Sequence, residues 1–111
     1  MFGNLKQIME AKAKIDKMQK ELKNIRIEES GMDGKIKVIV NGTGEVIDIK
    51  LSEEIFKVQD IKKIEKTIVN LINSAQKKAQ QQSLQKMQEL LKDLPPEVRK
   101  QLGIWNFQDL F

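Results

Sequence analysis

Residues 35–51, KIKVIVNGTGEVIDIKL, decide the fold of this chain. Apolar residues recur at every second position on both sides of NGTG at 41–44, as in two β-strands that each have one apolar face: Ile36, Val38 and Val40 before it, and Ile47, Ile49 and Leu51 after it. Asn and Gly tolerate the positive φ angles that a tight hairpin turn requires. Residues 24–28, NIRIE, alternate in the same way ahead of a Gly-containing turn at 30–34. The sequence therefore predicts three short strands in one antiparallel sheet.

Helical patterns flank this sheet on both sides. Apolar residues recur every three or four positions over residues 8–25, and the same period runs over residues 61–94. Pro95 and Pro96 cannot continue a helix, so the second helix is expected to end at Leu94. We expect an α+β fold of the order α-β-β-β-α, in which two long helices flank a three-stranded antiparallel sheet.

The end of the chain differs in composition from the rest. Residues 104–111, IWNFQDLF, hold three of the five aromatic residues. Packing on the chain's own body or on a second copy, a peptide-like motif for another protein, and base stacking by Trp105 are all open interpretations. We predict a single domain over residues 1–94 and a C-terminal extension over 95–111, which contains a short helical turn and the aromatic tail.

Composition excludes several kinds of chemistry. The chain has 111 residues, with no Cys and no His. Disulfides, Cys/His zinc sites, thiol nucleophiles and imidazole proton shuttles are therefore excluded, and we expect neither an enzyme nor a metal or cofactor site. No apolar run approaches the length of about 18 residues that spans a membrane. A cytoplasmic binding or scaffolding protein fits this composition.

Positive charge is concentrated in the two helical segments. Residues 1–23 contain six lysines against three acids, and residues 61–92 contain seven lysines against two acids. The strand-forming segment between them carries more acidic than basic residues. Such an uneven field can orient a polyanion onto one part of a surface.

The second helix carries the sharpest of these charge patterns. A helical period places Lys62, Lys66 and Lys77 opposite the apolar residues, on a face without acids, and we call these three residues the lysine stripe. Lys63 and Lys78 flank it. A further set on the first helix can add to it: Lys6, Lys17 and Lys20. Lysine contacts phosphates without reading bases, so these residues are the candidate DNA contacts; an ordinary solvated face is the competing interpretation.

The sheet is expected to expose an apolar surface to a second copy of the chain. The alternation places Ile39 and Val46 on the face opposite Ile36, Val38, Ile47 and Ile49. Two helices cannot cover both faces of the sheet. We therefore predict a homodimer with Ile39 and Val46 at its interface.

Three pieces of the sequence, in this order, resemble the YbaB/EbfC family of bacterial nucleoid-associated proteins. They are MFGNL at 1–5, GKIKVIVNG at 34–42 with EVIDIKL at 45–51, and LPP at 94–96 after a helix rich in Asn, Ala, Lys and Gln. The resemblance implies an α-β-β-β-α fold, an intertwined homodimer, and binding of double-stranded DNA by protruding helices with little sequence specificity. It also implies a role in nucleoid organisation and gene expression, without a small-molecule substrate or a membrane. It supplies no catalytic residue, and the chain departs from the family pattern after Pro96.

Two other classes of function compete with this interpretation. A prefoldin-like chaperone subunit also has two helices beside β-hairpins, but the first helix here is too short for a long tentacle. A structural protein–protein adaptor that uses the Trp105 tail is the other alternative.

Overall fold

The computed structural model describes the backbone of residues 2–101 and the side chains of residues 5–101. The predicted α-β-β-β-α order is confirmed, and the three strands form an antiparallel sheet in the order β1-β2-β3. A short 3₁₀ helix, Glu53–Lys57, lies between the sheet and the second long helix. The elements are α1 (Phe2–Asn24), β1 (Ile27–Gly31), β2 (Ile36–Val40), β3 (Val46–Leu51), α2 (Ile61–Asp93) and α3 (Pro96–Gln101).

Both ends of α2 are set by local sequence signals. Asp60 caps the first turn, because its Oδ1 accepts a hydrogen bond of 3.0 Å from the backbone N–H of Lys63. The helix ends at Asp93, and Leu94 adopts an extended ψ of 131° ahead of Pro95. The predicted end of the helix at the two prolines is confirmed.

The first strand begins later than the sequence pattern indicated. α1 continues to Asn24, and β1 covers Ile27–Gly31, so the predicted strand at 24–28 and turn at 30–34 are both displaced toward the C-terminus. Ile25, which was placed in the strand pattern, packs between the two clusters of core residues described below. The turn that follows uses positive φ angles at Met32 (52°), Asp33 (56°) and Gly34 (82°).

A bulge in β3 changes which residues share a face. Ile39 pairs with Asp48, but the next residue of β2, Val40, pairs with Val46, so Ile47 is the extra residue. Directly paired residues lie on the same face of an antiparallel sheet. Val46 therefore lies on the helix-covered side with Val40, and its predicted position beside Ile39 on the opposite face is wrong.

Two separate cores are arranged along α2, whose 33 residues extend about 50 Å. β1 and β2 pack on the middle of this helix and form the sheet core, and α1 and α3 pack on its C-terminal part and form the helical core. The sheet core consists of Ile27, Val38, Val40, Ala75 and Ala79. The helical core consists of Ala11, Met18, Leu22, Met87, Leu91, Leu94 and Val98.

Ser83 lies on α2 between these two cores. It continues the four-residue spacing of the buried positions Ala79 and Met87, and it is 3% exposed. Its hydroxyl oxygen is buried and has no hydrogen-bond partner among the residues that the structure describes. The junction of the two cores therefore contains a buried hydroxyl group whose desolvation is not offset by a hydrogen bond from the described residues.

The β2–β3 turn ties the end of α1 to the sheet. The Oδ1 atom of Asn41, a residue 3% exposed, accepts hydrogen bonds from Thr43 N (3.0 Å), Thr43 Oγ1 (2.7 Å) and Glu45 N (3.0 Å). Gly42 N donates to Leu22 O at 2.8 Å. A Cβ at position 42 would lie 2.6 Å from that same oxygen, so only glycine fits this close approach.

Candidate nucleic-acid interface

The lysine stripe lies on the solvent-facing side of α2. Lys62, Lys66 and Lys77 are exposed, and the Lys62 side chain is 91% exposed. Ala75 and Ala79, which are fully buried, occupy the other side of the helix. At 1.5 Å per residue the stripe extends about 23 Å from Lys62 to Lys77 on one continuous helix. A rigid element therefore holds its charges at fixed spacing.

Most of the charge in and beside the stripe is free for a ligand. Lys63, Lys66 and Lys77 have no acidic partner within residues 5–101. Lys62 approaches Glu65 at 3.8 Å, a contact one turn along the same helix with both side chains largely in solvent. Such a pair contributes little free energy, so Glu65 is a weak competitor for a phosphate.

Lys78 does not belong with this set. Its Nζ lies 2.5 Å from Oε1 of Glu29 on β1, and Ser74 Oγ donates to the same oxygen at 3.2 Å. The hydrogen bond from Lys78 lowers the pKa of the Glu29 carboxyl, with a smaller opposing contribution from desolvation. The charge of Lys78 is therefore used to hold β1 against α2, on the side of the helix away from the stripe.

The candidate lysines of α1 lie beside the other half of α2. Lys6, Lys17 and Lys20 are exposed, but Lys17 lines a groove between α1 and α2 that also contains acidic side chains. In that groove Lys86 Nζ lies 3.5 Å from Glu21 Oε2. The local field is mixed, and within one chain the α1 lysines do not extend the stripe that starts at Lys62.

Glu29 is the residue of this region that sequence reasoning missed. It is separated from Lys78 by 49 positions, and the sequence places it next to Glu28 in what reads as a solubilising pair. Only the packing of β1 on α2 brings the two charges together. Lys63 and Lys78 flank the stripe in the same way, and no nearby residue in the sequence indicates that Lys78 forms an ion pair.

Among the described residues, no group of three or more acidic side chains is arranged to hold a metal ion. Over that same part of the chain, none of the helices is both long and apolar enough to cross a membrane.

Comparison with known proteins identifies the family of this chain and agrees with its fold. Residues 1–94 match the YbaB/EbfC DNA-binding family. The chain is 30% identical over 95 residues to the nucleoid-associated protein Atu0095 of Agrobacterium fabrum, covering 86% of this chain and 89% of that protein. It is 31% identical over 98 residues to a nucleoid-associated protein of Pelotomaculum thermopropionicum, covering 85% and 93%.

A solved structure shows the same fold. The uncharacterized protein HP0035 from Helicobacter pylori superposes with a TM-score of 0.69 at 17% identity, covering 81% of this chain and 92% of that one. The family match spans α1, all three strands and α2, and the relatives align over most of their own length. This chain therefore belongs to the YbaB/EbfC DNA-binding family.

Proposed function

We propose that this protein is a nucleoid-associated protein that binds duplex DNA as a homodimer with little sequence specificity. It acts in the cytoplasm on the nucleoid, and it affects nucleoid organisation and gene expression. The observation that carries the proposal is the exposed lysine stripe, in which Lys66 and Lys77 have no acidic partner among the described residues. The family and the names of the relatives support DNA as the polyanion.

Low sequence specificity follows from the kind of charge on this surface. Lysine is a mobile point charge, whereas the planar guanidinium of arginine can bind the edge of guanine through two hydrogen bonds. The chain has only two arginines, Arg26 and Arg99. Arg26 donates to the backbone oxygens of Lys23 and Ile25, and Arg99 lies on α3 away from the stripe. Contacts to the phosphate backbone therefore supply the binding free energy.

The homodimer is supported by apolar surface that a single chain leaves uncovered. Ile49 pairs with Val38 and Leu51 pairs with Ile36, so both lie on the helix side of the sheet. Val38, which packs in the sheet core with Ala75 and Ala79 of α2, and Ile36 are fully buried, whereas Ile49 is 40% and Leu51 52% exposed. A single helix covers β1 and β2 but leaves β3 open.

This open side of the sheet forms a trough beside α2. Val69 of α2 is 55% exposed and lies about 140° around the helix from Ser74, which contacts β1. Val69 therefore forms part of the wall of the trough over β3. The chain is also elongated, with a radius of gyration of 19.3 Å, against about 13 Å for a compact domain of this size. Mutual insertion of α2 from two chains would cover both troughs and intertwine the dimer.

The interface proposed here is centred on β3. Val46 belongs to it, on the helix side of the sheet. Ile39 faces the opposite side, where Asp48 and Glu28 are its neighbours across the sheet. Changing Ile49 to Asn should then dissociate the dimer at micromolar concentration in light scattering, and Ile39→Asn should not. The mass of one chain for the unmodified protein would refute the homodimer.

The DNA proposal is tested by the salt dependence of binding. Each lysine that neutralises a phosphate adds about 0.9 to the slope of log K against log salt on duplex DNA. The triple variant K62Q/K66Q/K77Q removes three contacts per chain, so a dimer should lose up to about 5 from that slope. The loss should be equal on duplexes of unrelated sequence.

A matched variant separates contact from net charge. K12Q/K50Q/K100Q removes the same charge from exposed lysines on three different elements. We expect a small loss of affinity and an almost unchanged slope. If both triple variants behave alike, the stripe is only a solvated face, and K6Q/K17Q/K20Q becomes the test of whether α1 binds DNA instead.

A further inference from the structure

The described part of the chain ends beside α1. Val98 of α3 is 1% exposed and belongs to the helical core together with Ala11 of α1. α3 ends at Gln101, and residues 102–111, LGIWNFQDLF, follow it. This segment starts from the flank of α1, not from the sheet.

An apolar strip winds around α1 at this end of the molecule. Relative to buried Ala11, a helical period places Ile8, Leu5 and Met9 at about 60°, 120° and 160° around the helix. Exposure rises along the strip: Ile8 is half-buried, Leu5 is 56% exposed and Met9 is 63% exposed. Leu5 and Met9 line a shallow groove with Ala13. The strip thus leads from the helical core to an uncovered apolar surface.

A polar group nearby also lacks a partner. The Nε atom of Arg99 is buried and has no hydrogen-bond partner among the described residues. A buried guanidinium donor without an acceptor is costly, and a carboxylate is its best partner. Residues 102–111 contain one acid, Asp109, and no basic residue. The charge of the segment therefore complements Arg99.

The length of the segment is sufficient to reach the strip. Ten extended residues reach at most about 33 Å. Half the circumference of a helix about 10 Å wide is about 16 Å. If Asp109 returns to Arg99, the chain between them still reaches about 16 Å outward at its middle, which brings Trp105 and Phe107 to Leu5 and Met9.

We infer that residues 104–111 dock on α1 of their own chain, with their aromatic side chains against Leu5 and Met9 and with Asp109 paired to Arg99. The groove is therefore occupied by a segment of the same chain. It lies on α1, which packs on the C-terminal part of α2, whereas the lysine stripe starts near the N-terminus of α2. This docking does not depend on DNA binding.

Trp105 is the one tryptophan of the chain and reports on this docking directly. In the full-length protein its emission should be blue-shifted and protected from acrylamide, relative to the chain unfolded in urea. The double variant L5S/M9S should move the emission to that of indole in water. D109N should raise the quenching by acrylamide. Full exposure of Trp105 in the unmodified protein would overturn the inference.

A control on the same helix removes effects of helix propensity. Gln7 and Lys14 are exposed and lie on the other side of α1, so Q7S/K14S introduces the same two serines away from the strip. Its Trp105 emission should equal that of the unmodified protein, and far-UV circular dichroism should show equal helix content in both double variants. Equal red shifts in the two double variants would contradict docking on Leu5 and Met9.

Docking on a second copy is distinguished by mixing. The L5S/M9S chain, which retains Trp105, is mixed with an excess of a W105F chain whose α1 is intact. Trp105 should stay exposed, because its own α1 lacks the apolar strip. Recovery of the blue-shifted emission would place the segment on α1 of another chain and refute docking within one chain.

Discussion

Gly42→Ala should be among the most destabilising single-methyl additions in this protein. The new Cβ would lie 2.6 Å from Leu22 O, 3.0 Å from Leu22 Cα and 3.1 Å from Leu22 C. These are backbone atoms of a residue that is 1% exposed, so they cannot rotate away as the end of a flexible side chain would. Relief requires α1 to move off the turn.

The size of the effect follows from two contributions. Displacement of α1 lengthens or breaks the 2.8 Å hydrogen bond from Gly42 N to Leu22 O, a loss of about 1 kcal/mol. Overpacking against a buried segment costs about 1–3 kcal/mol. We expect the free energy of unfolding to fall by about 2–4 kcal/mol in total.

Gly44 in the same turn provides the matched control. Its φ is +88°, and a Cβ there meets no atom within 4 Å. Gly44→Ala should therefore cost only the strain of a positive φ, about 1–2 kcal/mol. Urea unfolding of both variants at one fixed chain concentration measures the difference, since the proposed homodimer would make stability depend on concentration. A loss for Gly42→Ala no larger than that for Gly44→Ala would refute the reasoning.

Three further predictions concern other parts of the fold. Asn41→Ala removes the acceptor of three hydrogen bonds in the turn and should lower the free energy of unfolding by about 1–3 kcal/mol in urea; an unchanged midpoint would contradict the buried role of this amide. The lowered pKa of Glu29 means that its ion pair with Lys78 stabilises the protein above the ordinary carboxyl pKa, and that this contribution is lost as the pH falls through the lowered value. Glu29→Gln should therefore lower the free energy of unfolding by at most about 1 kcal/mol at pH 7, and it should have no effect once the carboxyl is protonated. A difference in urea midpoint that persisted in acid would argue against the ion pair. Ala79→Leu should cost about 1–3 kcal/mol because Ala79 is fully buried, whereas Gln85→Leu, at an exposed position of the same helix, should be nearly neutral by thermal unfolding.

Much of the fold could be predicted because its signals are local. The alternation in β2 and the NGTG turn need only neighbouring residues to be interpreted. The two prolines fix the end of α2 in the same way. The bulge at Ile47 is not predicted because residues 47–51 alternate regularly in sequence, and only the pairing of β3 with β2 shows that one residue is extra.

The candidate site was predictable only in part. A helical period was enough to place Lys66 and Lys77 on one face, because that face depends on α2 alone. Lys78 looked equivalent to Lys63, and the contact that distinguishes them comes from a distant strand. The packing of β1 on α2 decides which of these lysines remain without an acidic partner in the described part of the chain. No short motif in the sequence encodes that long-range contact.

The division of α2 between two cores has a consequence for how the molecule opens. Ile25 packs against both cores, and Ser83 interrupts the buried positions of α2 between them with an uncompensated hydroxyl. Amide hydrogen exchange should therefore resolve two cooperative units within a single continuous helix. Amides of α2 near Ala75 would exchange together with those of β2, and amides near Leu91 together with those of α1. One helix would then carry two local free energies of opening.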